Sequence, residues 1–135
     1  MSEKTKCLGH SLVMDDDPLI RKTLQLLLLK LGFCSTLAKD GEQAVNHFMQ
    51  AQKDKKPFNF VILDLIIPDG MGGKETLDKI REIDPKIKII LSSGYKKDIL
   101  AKYKDLGFNF MLKKPYTIND LKKVISKISK KKVKF

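Results

Sequence analysis

The sequence predicts an α/β fold: a doubly wound, five-stranded parallel sheet with helices on both faces. Three observations predict it. Short apolar runs alternate with stretches of helical period along the chain. The central run, Phe60-Val61-Ile62-Leu63, is continuously apolar and is followed by Asp64, Pro68 and Gly70, the pattern of a strand buried on both faces. Polar residues follow the other apolar runs too, which places them at the carboxyl ends of strands, where open α/β sheets bind ligands.

Ser11 to Met14 is the first strand, and it runs into Asp15-Asp16-Asp17-Pro18. Asp17 is placed to cap a helix whose first residue is Pro18. Ile20, Leu24, Leu27, Leu28 and Leu31 recur at helical spacing, and Gly32 stops that helix. Phe33 to Ala38 is the second strand, closed by Lys39-Asp40-Gly41. Ala44, Val45, Phe48 and Met49 give the second helix its apolar stripe, and Lys53 to Pro57 is a polar loop. Phe60 to Leu63 is the third strand. Beyond the glycine-rich turn, Leu77, Ile80 and Ile83 mark a third helix that stops at Asp84-Pro85. Ile87 to Leu91 is the fourth strand, ended by Ser92-Ser93-Gly94. A fourth helix is expected from about Lys97 to Leu106, terminated by Gly107. Phe108 to Leu112 is the fifth strand, followed by Lys113-Lys114-Pro115. Thr117 and Asp120 have the spacing of a capping box. Leu121, Val124, Ile125 and Ile128 face the last helix inward, and Lys131 to Phe135 is expected to fray. Right-handed crossovers leave few ways to connect these elements, and the expected strand order is 2-1-3-4-5, the flavodoxin-like (βα)5 arrangement.

A chain of 135 residues suits one domain, 1–135, with its core over about 11–129 and a lysine-rich tail at 130–135. The net charge of +11 comes from 27 basic and 16 acidic residues and is concentrated between Lys113 and Lys134. A solvated lysine-rich helix face explains that run, so no direct nucleic-acid binding is expected. The longest apolar run, Leu26 to Leu29, is too short to span a membrane, and the polar start with Asp15-Asp16-Asp17 does not read as a signal peptide. A cytoplasmic protein is expected, with Cys7 and Cys34 as reduced thiols. Neither cysteine has metal-ligand neighbours, and His10 and His47 stand alone, which argues against zinc.

The carboxyl ends of the first, third, fourth and fifth strands bring together Asp15 and Asp16, Asp64, Ser93 and Lys114. Packed carboxylates repel and raise one another's pKa. A hard divalent cation relieves that, and Mg²⁺ prefers oxygen ligands and pairs with phosphate. A carboxylate in such a site is a competent nucleophile toward phosphorus. A lysine ammonium and a hydroxyl donor are suited to the charge that spreads over a transferring phosphoryl group. The implied chemistry is phosphoryl transfer onto Asp64.

The chain resembles the receiver domains of two-component response regulators. The matching residues are Val13-Met14-Asp15-Asp16-Asp17, Ile62-Leu63-Asp64-Leu65-Ile66-Ile67-Pro68, Ser93-Gly94 and Lys114-Pro115-Tyr116, in order, over about Ser11 to Ser129. The Gly70 to Glu75 turn and Ser92-Ser93-Gly94-Tyr95 look most like receivers of hybrid sensor kinases. The resemblance implies that Asp64 is the phosphoacceptor. It implies that Asp15, Asp16, Asp64 and the Ile66 carbonyl hold Mg²⁺, that Ser93 bonds a phosphoryl oxygen, and that Lys114 pairs with the phosphoryl group. It further implies a cis Lys114–Pro115 bond, a sensor histidine kinase or phosphotransfer protein as partner, a monomer or weak dimer, and output through the face of the fourth helix, fifth strand and fifth helix. Such a domain promotes its own phosphorylation and dephosphorylation without being an enzyme toward other substrates.

Two features depart from the usual pattern. The Asp69 to Gly73 turn is one residue longer than in the commonest receivers. Met111 stands where the family carries a switch aromatic, three residues before the lysine. Met111 is slim and flexible, so activation is expected to act mainly on the loop after the fourth strand. Ser92 rivals Ser93, since counting back from Gly107 without a gap favours it; Gly94 after Ser93 favours Ser93. A dehalogenase-type hydrolase also uses a strand-end Asp with Mg²⁺, but it needs a second acid where this chain has Ile66. A Walker phosphate loop fails because Gly73-Lys74 is followed by Glu75.

Overall fold

The computed structural model describes residues 7–68, 70–94 and 102–128. Its strands are β1 (Gly9–Met14), β2 (Phe33–Ala38), β3 (Phe60–Asp64), β4 (Lys88–Ser93) and β5 (Phe110–Lys113). The described helices are α1 (Pro18–Lys30), α2 (Gly41–Lys53), α3 (Gly73–Ile83) and α4 (Ile118–Ile128). Residues 97–101 of the expected fourth helix lie outside the described residues, as do 95–96, Asp69 and the tail, and the described remainder, 103–107, is a turn. The sheet is parallel throughout, in the flavodoxin-like order β2-β1-β3-β4-β5.

Alternation along the strands splits the core in two. Leu12, Met14, Val61, Leu63, Ile89 and Leu91 face Ala44 and Phe48 of α2 and Leu77 and Ile80 of α3. Val13, Ile62, Ile90 and Leu112 face Leu24 and Leu28 of α1 and Leu121 and Ile125 of α4. Both β3 faces are therefore covered, and Phe60 to Leu63 have no exposed surface. That is why this segment carries no polar residue before Asp64.

Local signals place the helix ends. Asp17 accepts a hydrogen bond from the Leu19 N–H at 2.9 Å, with Pro18 opening α1. Gly32 follows α1 with a φ of 100°, a region closed to most side chains. The Thr117–Asp120 box is reciprocal: the Thr117 N–H donates to Asp120 at 2.8 Å and the Asp120 N–H to Thr117 at 3.2 Å.

β1 begins two residues earlier than its apolar run, because Gly9 and His10 pair with Phe33 and Cys34 of β2 through the backbone. One expectation is corrected here. Cys7 and Cys34 are not separate thiols but a disulfide, with Cα atoms 5.6 Å apart. Cys7 lies just before β1 and Cys34 within β2, its direct neighbour, and no feature near either cysteine announces the pairing. At the same end of the sheet Arg81 of α3 donates to the carbonyls of Ile87 and Gly107 and to the Asn109 side chain. Asn109 in turn accepts from the Ile89 N–H at 2.8 Å. No helix among the described residues is long and apolar enough to cross a membrane.

Candidate functional site

The carboxyl edge of the sheet gathers the predicted acids. Asp15 follows β1 and Asp64 ends β3, on strands that are direct neighbours. Oxygens of Asp15, Asp16 and Asp64 lie within 4.8 Å of one another. Asp15 and Asp64 are buried, while Asp16 is exposed and lines a cleft of about 250 Å³ with Lys39, Asp40, Ile67, Pro68 and Gly70.

Asp15 is the most constrained of the three. One oxygen accepts from the Asp17 N–H at 2.9 Å and the other from Lys114 Nζ at 2.9 Å. Its own carbonyl accepts from Arg21 Nη1 at 2.8 Å. Arg21 was not singled out from the sequence, although its place one turn into a helix capped by Asp17 is a readable signal.

Lys114 Nζ also lies 3.4 Å from Asp64, so one ammonium spans two carboxylates. Burial lowers the Lys114 pKa, but the bond to Asp15 and the charge of Asp64 outweigh it and raise the pKa overall. Asp64 is raised as well. Burial is the main cause, with the Asp15 charge adding to it, against Lys114 and the Ile66 N–H, which pull it down. Ile66 thus meets Asp64 through its backbone, while its side chain points out, 70% exposed.

The first residue of α3 approaches the end of β3 closely. A Cβ on Gly73 would lie 2.5 Å from the Asp64 carbonyl oxygen, and the Gly73 N–H donates to Leu65 at 2.9 Å. Only glycine fits there.

The fourth strand settles where both serines lie. Ser92 is the register partner of Asp64, and Ser93 that of Lys113. Paired residues share a face, so Ser92 lies on the Asp64 side with its hydroxyl sealed. Ser93 is one step nearer the edge, and its carbonyl accepts from the Lys114 N–H at 2.7 Å. Lys114–Pro115 is cis, as the resemblance implied. Met111 is half-buried and pairs with Leu91. Tyr116, noted before only as part of a motif, brings a buried hydroxyl to the same region.

Residues 12–126 match the response regulator receiver domain family. The chain belongs to that family. It is 31% identical over 117 residues to sporulation initiation phosphotransferase F of Bacillus subtilis, covering 86% of this chain and 90% of that protein. Its fold is similar to a receiver domain structure from Methanospirillum hungatei, with a TM-score of 0.73 at 26% identity over 89% of this chain and 92% of that one. It is also similar in fold to the receiver of sensor histidine kinase PA1611 of Pseudomonas aeruginosa, a structure described with magnesium in its cleft. There the TM-score is 0.75 at 21% identity, over 89% of this chain and 96% of that one. Among other relatives the matched stretch is 20% and 47% of a longer protein. This receiver domain therefore has the fold and the acidic edge of two-component signalling proteins.

Proposed function

We propose that Asp64 is the phosphoacceptor of a two-component phosphorelay. The observation that carries this reading is the cluster itself: three carboxylates within 4.8 Å, bridged by one lysine that spans Asp15 and Asp64. The donor is a phosphohistidine of a sensor histidine kinase or of a phosphotransfer protein. An Asp64 oxygen attacks phosphorus, the P–N bond breaks, and its electron pair returns to the imidazole. The product is an aspartyl phosphate. The 31% identical relative named as a phosphotransferase supports this direction.

The three carboxylates are hard oxygen donors with more negative charge than Lys114 offsets, which fits Mg²⁺. Asp15, Asp16 and Asp64, with the Ile66 carbonyl, would hold it, and when bound it supplies charge neutralisation to the phosphoryl oxygens. Lys114 shifts from its carboxylates toward the phosphoryl group. Ser93, at the strand edge, donates its hydroxyl to a phosphoryl oxygen, and the β4 and β5 ends are drawn together. That movement reaches the surface beside β5 and α4. The protein acts as a cytoplasmic regulatory phosphoacceptor, not as an enzyme on other substrates.

Intact-mass measurement after incubation with Mg²⁺ and acetyl phosphate tests this. A gain of one phosphoryl group is expected, and none in Asp64→Asn, which keeps the shape without the nucleophilic oxyanion. A gain that survives in Asp64→Asn sinks the proposal.

A further inference from the structure

The Cys7–Cys34 bond lies at the opposite end of β1 from Asp15 and takes no part in the acid site. Cys7 precedes β1, and Cys34 belongs to β2, the strand at the edge of the sheet. Their Cα atoms are 5.6 Å apart, inside the span of about 4.4–6.8 Å over which disulfides form. Both cysteines are half-buried rather than sealed in the core.

Access and redundancy together mark this bond as exchangeable. A groove of about 250 Å³ opens beside Cys34 between α1 and β2, lined by Lys22, Leu26, Leu29, Phe33 and Ser35. Leu26 and Leu29 are exposed, so the groove is reached from solvent. An incoming thiolate is an anion, and the positive charge of Lys22 on the groove wall favours its approach. The strands, for their part, do not depend on the bond. Gly9 to Met14 pair with Phe33 to Ala38 along the backbone. The Leu8 N–H donates to the Gly32 carbonyl at 2.6 Å, and the Ser11 and Ser35 hydroxyls lie 3.0 Å apart. None of these contacts needs the sulfurs joined, so the oxidised and reduced chains can share one fold. A bond of that kind can be cut and remade without unfolding.

We propose that Cys7–Cys34 is a thiol–disulfide exchange site for a low-molecular-weight thiol of the glutathione type, which clasps and releases the chain before β1 at the sheet edge. A thiolate enters along the groove and attacks Cys34 Sγ. The S–S bond breaks, and Cys7 leaves with the electron pair and takes up a proton. A second thiolate attacks the outer sulfur of the mixed disulfide, and Cys34 leaves in its turn. The protein gains two electrons and two protons, and the two small thiols become one disulfide. The oxidised form of the small thiol runs the same steps in reverse. Nothing in this depends on the phosphoacceptor reading.

The test follows reduction by glutathione in the native full chain and in urea, with freed thiols trapped by iodoacetamide and read by intact mass. Attack through the groove needs no unfolding, so the native rate is expected within about tenfold of the rate in urea. A sealed bond would wait for global opening and react about a thousandfold more slowly or worse. In Cys7→Ser, oxidised glutathione is expected to leave one glutathione on Cys34. In the wild type, reduction is expected to speed amide exchange at Leu8 and to leave Phe60 to Leu63 unchanged, and oxidised glutathione is expected to reverse the change. A native rate that tracks unfolding, an unmodified Cys34 in Cys7→Ser, or loss of the far-ultraviolet circular dichroism on reduction overturns the proposal. The experiment uses no phosphodonor, so its failure and a failure of Asp64 to take up phosphate are separate results.

Discussion

At the amino end of β4 and β5, Arg81 donates to two carbonyls and to Asn109, and Asn109 caps the Ile89 N–H. Across β1 and β2 at that end lies the Cys7–Cys34 bond. At the carboxyl end of the same sheet, Asp15 and Asp64 share one lysine with Asp16 close by, and the buried Ser92 and Tyr116 hydroxyls have no hydrogen-bond partner. Both ends bury charge. At one, each donor has an acceptor, and the result is a brace. At the other, like charges are held together at a cost in stability. The difference separates an end that holds the sheet from the end at which the proposed ion and phosphoryl group would bind.

The largest effect is expected from cutting the brace. Arg81→Ala leaves the buried carbonyls of Ile87 and Gly107 and the Asn109 oxygen short of a charged donor. A loss of about 3 kcal/mol is expected, read by urea unfolding. The Mg²⁺ response described next is expected to survive in that variant. If it is lost with the brace, the two ends are coupled and the contrast between them fails.

Filling the acid cluster should act in the opposite sense. A ligand that binds only the folded chain stabilises it by about 2.7 kcal/mol at a hundred times its dissociation constant. Mg²⁺ is expected to raise the melting temperature of the wild type and not that of an Asp15→Ala, Asp16→Ala double variant. An equal rise in both proteins would place the ion elsewhere.

A smaller effect follows from the raised pKa of Asp64. The folded chain holds that proton more tightly than the unfolded chain, whose value is near 3.8. Stability therefore declines as pH rises from 3.8 through the folded value, and the cost remains above it. In a chelator, Asp64→Asn lacks this decline. It is expected to be the more stable protein near neutral pH and to lose that advantage at acid pH. With Mg²⁺ the order should reverse, because Asn is the poorer ligand. Parallel pH profiles for the two proteins would mean that the Asp64 charge is already fully compensated.

What the sequence revealed of this contrast follows from distance along the chain. The caps Asp17-Pro18 and Thr117–Asp120 act over two or three residues, so their chemistry is visible in a short window. Asp15, Asp64 and Lys114 were found because each ends an apolar run, and parallel topology carries run ends to one edge. Arg81 was not found, because on α3 it reads as one more charged residue on a solvated face. Its role exists only once Ile87 and Asn109 fold beneath it. Cys7 with Cys34 is likewise a contact that only the folded chain creates. The reading of reduced thiols came from an assumed compartment, and adjacency overrode it.

The smallest effect is expected at Met111. Ser93 and Lys114 flank the proposed phosphoryl group, and drawing both toward it moves the ends of β4 and β5 together. In related receivers an aromatic ring fills the space that the hydroxyl vacates, so ring size matters. Here a half-buried Met111 pairs with Leu91 on the face opposite Ser92 and Tyr116. An unbranched thioether can fill an irregular gap in several rotamers, so no single shape has to swing into place. Met111→Ala is therefore expected to lower stability by about 1–2 kcal/mol, in line with losing a partly buried side chain. It should leave the response to a beryllofluoride mimic almost unchanged, read as NMR shifts at Phe110 to Lys113 and along α4. If the variant still binds the mimic but those shifts disappear, Met111 carries the signal. The surface beside β5 would then depend on the sheet face that carries Met111 and Leu91.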